Sequence, residues 1–215
     1  MRSLHLIAMG IAGVGLLVTV ALLIALGARR PSAPRPDRPD PGLEGLRFPE
    51  FSLTDQDGAT QTHALLEGRY TVVDFVFTHC PLACPGMTGR MAQMQDTLAG
   101  TGVRFASLSL DPDNDTPARL RDWGTAFGAD LSSWTFLTGD RAAIWGIVTD
   151  GLRFDLSRDE SNPITLEDGS TMANILHPTR FILVGPDRQV LGLYTFSEPE
   201  QMAMLENRVR ALLER

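Results

Sequence analysis

The chain has 215 residues, a formal net charge of −7 and no lysine. That length holds one ordinary domain plus an appendage. From Leu43 onward 14 Arg stand against 24 Asp plus Glu, a balance that argues against a nucleic-acid partner and leaves either a cationic protein partner or simple solubility as the use of the acidity.

In chain order, the first feature is a run without charged side chains from Leu6 to Leu26. About 21 residues at 1.5 Å each just cross a hydrocarbon core of roughly 30 Å, whereas the apolar part of a cleaved signal is about 7–15 residues. Residues 1–30 are therefore expected to be a membrane anchor, with cleavage near Ala25-Leu26-Gly27 as the alternative. Arg29, Arg30, Arg35 and Arg38 follow the span and only Arg2 precedes it, which by charge alone places the following domain in the cytoplasm. Residues 31–42, PSAPRPDRPDPG, predict a semi-rigid proline-rich spacer, leaving 43–215 as the folded domain.

Within that domain, residues 51–70 predict an added N-terminal hairpin. YTVVDFVFT at 70–78 reads as a buried strand and runs directly into Cys80. Pro85 fits the first turn of a helix with Cys84 at or near its N-cap and Gly100 beyond its end. Met87, Met91, Met94 and Leu98 fall on one face of that helix. VRFASLSL at 103–110 predicts a second strand. Thr116 and Pro117 then open a helix that Gly128 closes. A short strand at 134–137 and a helix at 141–148 follow. Residues 151–172 read as a polar, irregular insertion. Two strands at 179–184 and 190–196 flank the turn sequence GPDR, and an amphipathic helix over 199–213 ends the chain. Strands alternating with helices, then a hairpin and a last helix, give an α/β domain resembling the thioredoxin order.

The only cysteines, Cys80 and Cys84, lie at the first strand-to-helix turn, in THCPLACP. Unpaired backbone N–H groups at a helix start favour thiolate, so Cys84 is expected to be unusually acidic, with Cys80 close enough to pair. That position serves a redox dithiol and a metal site equally well. Three intervening residues let both sulfurs face one ion and still permit a disulfide. Two thiolates and an imidazole suit copper, with zinc as competitor.

Of the histidines, His5 lies at the leading edge of the expected span and His63 reads as a surface residue. His79 adjoins Cys80, but a strand-end neighbour points away from it. His177 opens the first hairpin strand, which in this topology lies beside the cysteine turn, and is the candidate third ligand. Met87, Met91 and Met172 offer soft sulfur, although helical spacing favours core packing.

With those pieces placed, the sequence resembles the Sco/SenC family through THCPLACP at 78–85, SLSLDPDNDTPARL at 107–120, WTFLTGD at 134–140 and HPTRFILVGPDRQVLGLY at 177–194. The resemblance implies a thioredoxin-like fold with an N-terminal transmembrane helix. It also implies copper, Cu(I) or Cu(II), bound by Cys80, Cys84 and His177. The implied function is delivery to the dinuclear copper centre of a terminal oxidase subunit during cytochrome c oxidase assembly, with other copper chaperones or thiol reductants as further partners. The implied location is the bacterial inner membrane with the domain in the periplasm. That location overrides the arginine count, because a cysteine pair cycling between dithiol and disulfide needs the oxidising side.

Pro178 departs from the small hydroxyl residue usual after the family's histidine; a cis bond there would redirect His177. Asp111 and Asp115, in the loop after the second strand, are candidates to orient a ligand or attract a cationic partner, or else to solvate and cap the turn. Two further functions fit the same sulfurs: a thiol-disulfide oxidoreductase that keeps the oxidase's copper-site cysteines reduced, and a redox or copper sensor.

Overall fold

A computed structural model describes residues 35–214. Nine strands and four α-helices follow one another among these residues, in the order β1 Ser52–Asp55, β2 Thr60–Thr62, β3 Thr71–Val76, α1 Ala83–Thr97, β4 Arg104–Ser109, α2 Pro117–Ala126, β5 Trp134–Thr138, α3 Arg141–Gly146, β6 Ser157–Thr165, β7 Thr171–Leu176, β8 Arg180–Val184, β9 Val190–Thr195 and α4 Pro199–Leu213. Seven strands form one sheet in the order β2-β1-β5-β4-β3-β8-β9. Strands β3, β4 and β5 run parallel, and β8 returns antiparallel to β3. The expected hairpin before β3 is present as β1 and β2.

The central strands are apolar on both faces because both are covered. On one face α1, α2 and α4 bury Met87, Met91, Met94, Leu120, Met202, Leu205 and Val209 against Val72, Phe105, Phe136 and Phe181. Each such side chain stabilises the fold by about 1.5–3 kcal/mol through its burial. The three α1 methionines thus serve packing, as their spacing indicated. On the other face Phe48, Phe51, Phe75, Phe77, Ile144 and Val148 form a second cluster.

Local signals place the helices where the residues require them. The Thr116 hydroxyl accepts from the Arg119 N–H at 3.3 Å, with Pro117 in the first turn. Asp140 caps α3 through the Ala143 N–H at 2.8 Å. Helix α2 lies close on β5 through Gly124, where a Cβ would meet Phe136 Cε2 at 2.6 Å.

Two expectations are corrected. Residues 151–172 are not an irregular insertion: half of them build β6 and the start of β7, which pair as a separate two-stranded hairpin with a register break between Asp159 and Ile164. Partly buried Phe154, Leu156, Ile164 and Met172 hold it against the second cluster. Nor is the proline-rich segment a free spacer throughout. The Asp40 N–H donates to the Leu191 carbonyl at 2.8 Å. Arg208 of α4 donates to the Pro36 carbonyl at 2.9 Å and to Asp40 at 2.7 Å, and also to the Arg38 carbonyl. The buried Phe48 then closes the run, its N–H on the Arg188 carbonyl at 2.7 Å. The expected membrane span lies outside the described residues, among which no helix is long and apolar enough to cross a membrane.

Candidate metal centre

The parallel strands all end at one edge of the sheet, and in open α/β sheets that edge carries the site. Strand β3 delivers Cys80 there, and β4 delivers Asp111 and Asp115. Because β8 runs opposite to β3, with Thr71 against Val184 and Val73 against Ile182, the residues just before β8 reach the same edge. His177 is among them.

Both cysteines are reduced and buried: Cys80 is 8 % exposed and Cys84 0 %. Helix α1 starts at Ala83 after an N-cap at Leu82, so Cys84 sits inside the first turn rather than at the cap. This inverts the expected acidity. The Cys84 thiol donates its hydrogen bond to Cys80, and that bond, aided by the N–H groups of Cys84, Leu82 and Ala83 against the opposing effect of burial, lowers the Cys80 pKa to about 5. Cys84, as donor to Cys80 and buried near the negative charges of Cys80 and Asp74, is pushed far up instead. The site therefore holds one thiolate and one thiol that share a proton.

His177 completes the arrangement. Its Nδ1 lies 3.2 Å from the Pro178 carbonyl, an acceptor only, so Nδ1 carries the proton and Nε2 keeps its lone pair. Nε2 stands 3.9 Å from Cys84 Sγ. Burial holds the imidazole pKa below its ordinary value, with the Pro178 carbonyl opposing, so it is neutral at pH 7. A neutral imidazole whose outer N–H is tied to a backbone carbonyl is prepared as a metal ligand. The ring also packs edge-on to Phe77, with centroids 6.1 Å apart. No peptide bond among the described residues is cis, so Pro178 leaves His177 aimed at the cysteines. No trio of His, Cys, Asp or Glu side chains among the described residues forms a ready-made cage. The donors adjoin in pairs, Cys80 with Cys84 and Cys84 with His177.

Asp111 and Asp115 take different places. Asp115 is fully buried and accepts from the Thr78 N–H at 3.1 Å and from the hydroxyls of Thr78 and Ser109. It pins the strand end two residues before Cys80 to the β4 loop. Burial raises its pKa, and the Ser109 and Thr78 bonds oppose the rise. Arg119 Nε donates to the same Thr78 hydroxyl at 2.6 Å, while its NH2 group pairs with Glu167 of the β6–β7 hairpin at 3.1 Å. Asp111 Oδ2 lies 3.9 Å from His79 Nδ1. His79 Nδ1 thus faces the Asp111 carboxylate. His63, by contrast, lies near Glu67 at 4.0 Å on the surface.

The sequence reading passed over Asp74, the one charged residue in an otherwise apolar strand. It is fully buried, and neither of its oxygens makes a hydrogen bond of good geometry. Burial raises its pKa to about 7, partly opposed by Ser107 across on β4. Two other contributors are Thr88 and Trp123: Trp123 Nε1 donates to the Thr88 hydroxyl at 3.0 Å, and that hydroxyl donates to the Cys84 carbonyl at 2.9 Å.

The SCO1/SenC family model matches residues 44–213, nearly the whole of the folded region. The chain belongs to the SCO1/SenC family. Its sequence is 32 % identical over 147 residues to the SCO1 protein homolog of Bacillus subtilis, covering 67 % of this chain and 71 % of that protein. Among solved structures it is similar to BsSco, a member of the Sco family of cytochrome c oxidase assembly proteins in which a disulfide switch was identified, with a TM-score of 0.62, 28 % identity and coverage of 78 % and 94 %. The fold is also shared with copper-bound ScoI of Bradyrhizobium japonicum, at a TM-score of 0.60, 24 % identity and coverage of 76 % and 99 %. The thioredoxin-like fold of the SCO1/SenC proteins is thus the fold of this chain.

Proposed function

We propose that this SCO1/SenC chain binds copper through Cys80, Cys84 and His177 and passes it to the dinuclear copper centre of a terminal oxidase subunit during assembly. The observation that carries the reading is the free Nε2 of His177 at 3.9 Å from Cys84 Sγ, beside a Cys80 that is already a thiolate at neutral pH. Two soft sulfurs and one imidazole match copper's preferences. The copper-bound Bradyrhizobium relative and the oxidase-assembly family of BsSco support the same cargo and recipient.

The proton inventory follows from the site. Cys80 arrives deprotonated, and His177 arrives neutral with Nδ1–H on the Pro178 carbonyl. Only Cys84 must lose a proton, so loading releases one proton per copper near neutral pH. Leu82, between the cysteines, and Leu176, before His177, are exposed at 78 % and 49 %. They supply an apolar rim on which a recipient can seat while ligands exchange.

A second reading rests on the same unequal pair. The Cys80 thiolate attacks a partner disulfide and forms a mixed disulfide, releasing one partner thiolate. Cys84, once deprotonated, then displaces the second partner thiolate and closes Cys80–Cys84. The partner gains two electrons and this chain loses them, which is the chemistry needed to reduce oxidase copper-site cysteines. Under either reading residues 1–30 anchor the chain in the bacterial inner membrane with the domain in the periplasm, where a thiol pair can be oxidised.

The test is copper titration of the reduced full chain followed by absorption, wild type beside Cys84→Ser. The copper reading expects a thiolate-to-copper charge-transfer band that saturates in wild type and collapses in the variant. Absence of the band in wild type leaves disulfide exchange as the function.

A further inference from the structure

His79 is nine-tenths buried, and its Nδ1 has no hydrogen-bond partner. A buried imidazole nitrogen left without a partner is costly. It faces Asp111 Oδ2 at 3.9 Å, too far for a direct hydrogen bond but within the spacing of two donors on opposite sides of one metal ion. Asp111 itself is 2 % exposed. Its Oδ2 accepts from the Asn114 side-chain amide at 2.8 Å, and the same amide nitrogen lies 3.7 Å from Met172 Sδ. Turning that amide over presents its oxygen at the same point. The His79 imidazole and the Asn114 amide thereby flank the Asp111 carboxylate, with the Met172 thioether against the amide.

We propose that His79, Asp111, Asn114 and Met172 form a second, weaker copper site next to the Cys80, Cys84 and His177 set. A cavity of about 320 Å³ opens onto Asp111, Asn114 and Met172 and gives the ion its path. Two arginines also line that cavity, but Arg141 is paired with Asp113 and Arg158 lies 3.6 Å from Glu160, so each carries a carboxylate that offsets its charge. The donor set is mixed: nitrogen and oxygen suit Cu(II), and thioether sulfur with imidazole suits Cu(I). His79 and Cys80 are adjacent in the chain, which places the two sites at one strand end. Copper arriving through the cavity is held first by the mixed set and then taken by the thiolates. Only the choice of copper as the ion rests on the proposed function; the donor geometry stands without it.

The test uses the full chain in detergent micelles with Cys80→Ser, Cys84→Ser and His177→Ala combined, titrated with Cu(II) and followed by electron paramagnetic resonance with electron spin echo modulation. The expected result is one bound copper showing modulation from an imidazole nitrogen. Adding His79→Asn abolishes that modulation, and adding Asp111→Asn weakens binding about tenfold or more. Met172→Leu, which conserves volume, weakens Cu(I) binding and leaves Cu(II) binding nearly unchanged. His5, His63 and the terminal amine bind equally with and without His79, so the difference isolates the site. Copper binding and modulation left unchanged by His79→Asn would overturn the proposal. Retention of the thiolate-to-copper band by His79→Asn in the otherwise native chain shows that the variant folds. A wild-type chain without that band would refute the cysteine-site reading alone.

Discussion

His177 Nε2 lies 3.9 Å from Cys84 Sγ across 93 residues of sequence, with its other nitrogen held by the carbonyl of the very next residue. Pro178 therefore supplies the acceptor that fixes the imidazole tautomer and leaves the lone pair facing the sulfur. The neutral histidine and the Cys80 thiolate are ready for a metal; Cys84 is the protonated member.

The unequal cysteines predict an unequal reaction with alkylating agents. The fraction of Cys80 modified by iodoacetamide should rise through a midpoint near pH 5, while Cys84, buried and pushed up, stays unmodified well above neutral pH. Peptide mapping after timed labelling across pH reads both. Preferential labelling of Cys84 would contradict the assignment. Since Cys80 titrates lower in the fold than in the unfolded chain, where the ordinary value is 9.0, its contribution to stability is present above that value and disappears as the pH falls through about 5.

Asp74 carries the opposite sign. Its carboxyl titrates near 3.8 when unfolded and at about 7 when folded. The stability it contributes as an acid is therefore complete below 3.8 and lost as the pH rises through about 7. Asp74→Asn, neutral at every pH, should gain on wild type steadily over that interval. Urea unfolding of both proteins at several pH values measures the gap, and a gap that is flat with pH would show that Asp74 is not protonated in the fold.

Asp115 is predicted to act on the cysteines by holding Thr78. Asp115→Ala strips acceptors from the Thr78 N–H and hydroxyl and from Ser109, and should cost about 2–4 kcal/mol of stability. Copper affinity should fall with it as the loop before Cys80 loosens. Asp115→Asn keeps part of the network and should lie between. Thermal unfolding and a copper competition assay on the same samples check both effects.

Docking of the proline-rich segment depends on Arg208 and on the absence of a side chain at Gly192, where a Cβ would stand 2.8 Å from both Arg208 NH1 and Asp40 Oδ2 and 2.7 Å from the Tyr194 hydroxyl. Gly192→Ala should release residues 36–42 without unfolding the sheet, at a cost of about 1–3 kcal/mol. Limited proteolysis should then cut near Arg38 in the variant and spare it in wild type.

What the sequence made legible, and what it did not, divides along physical lines. β3 announced itself as a short apolar run, α1 and α2 through prolines in their first turns, and α4 through its amphipathic spacing, because each signal is local. Cys80, Cys84 and His177 could be placed because strand order alone brings the edge of β8 to the end of β3. Strand β6 was missed because, Ile164 apart, it is polar on both faces, and its pairing with β7 and the apolar residues around it are not local signals. Docking of the linker was missed because its partner, Arg208, lies 168 residues from Asp40 in the chain. The acidity of the two cysteines was assigned the wrong way round because it turns on one residue of helix register: with the helix starting at Ala83, Cys84 is drawn inside and Cys80 receives the hydrogen bonds. The contrast between Asp115, which anchors the loop, and Asp111, which faces His79, depends on side-chain direction that spacing does not carry.

Copper-edge X-ray absorption on the reduced chain carrying a single equivalent of copper tests the central claim most directly. The account predicts scattering from two sulfurs and one imidazole, with the imidazole lost in His177→Ala and one sulfur lost in Cys84→Ser. Copper surrounded by nitrogen and oxygen alone, or an imidazole signal that survives His177→Ala, would contradict it.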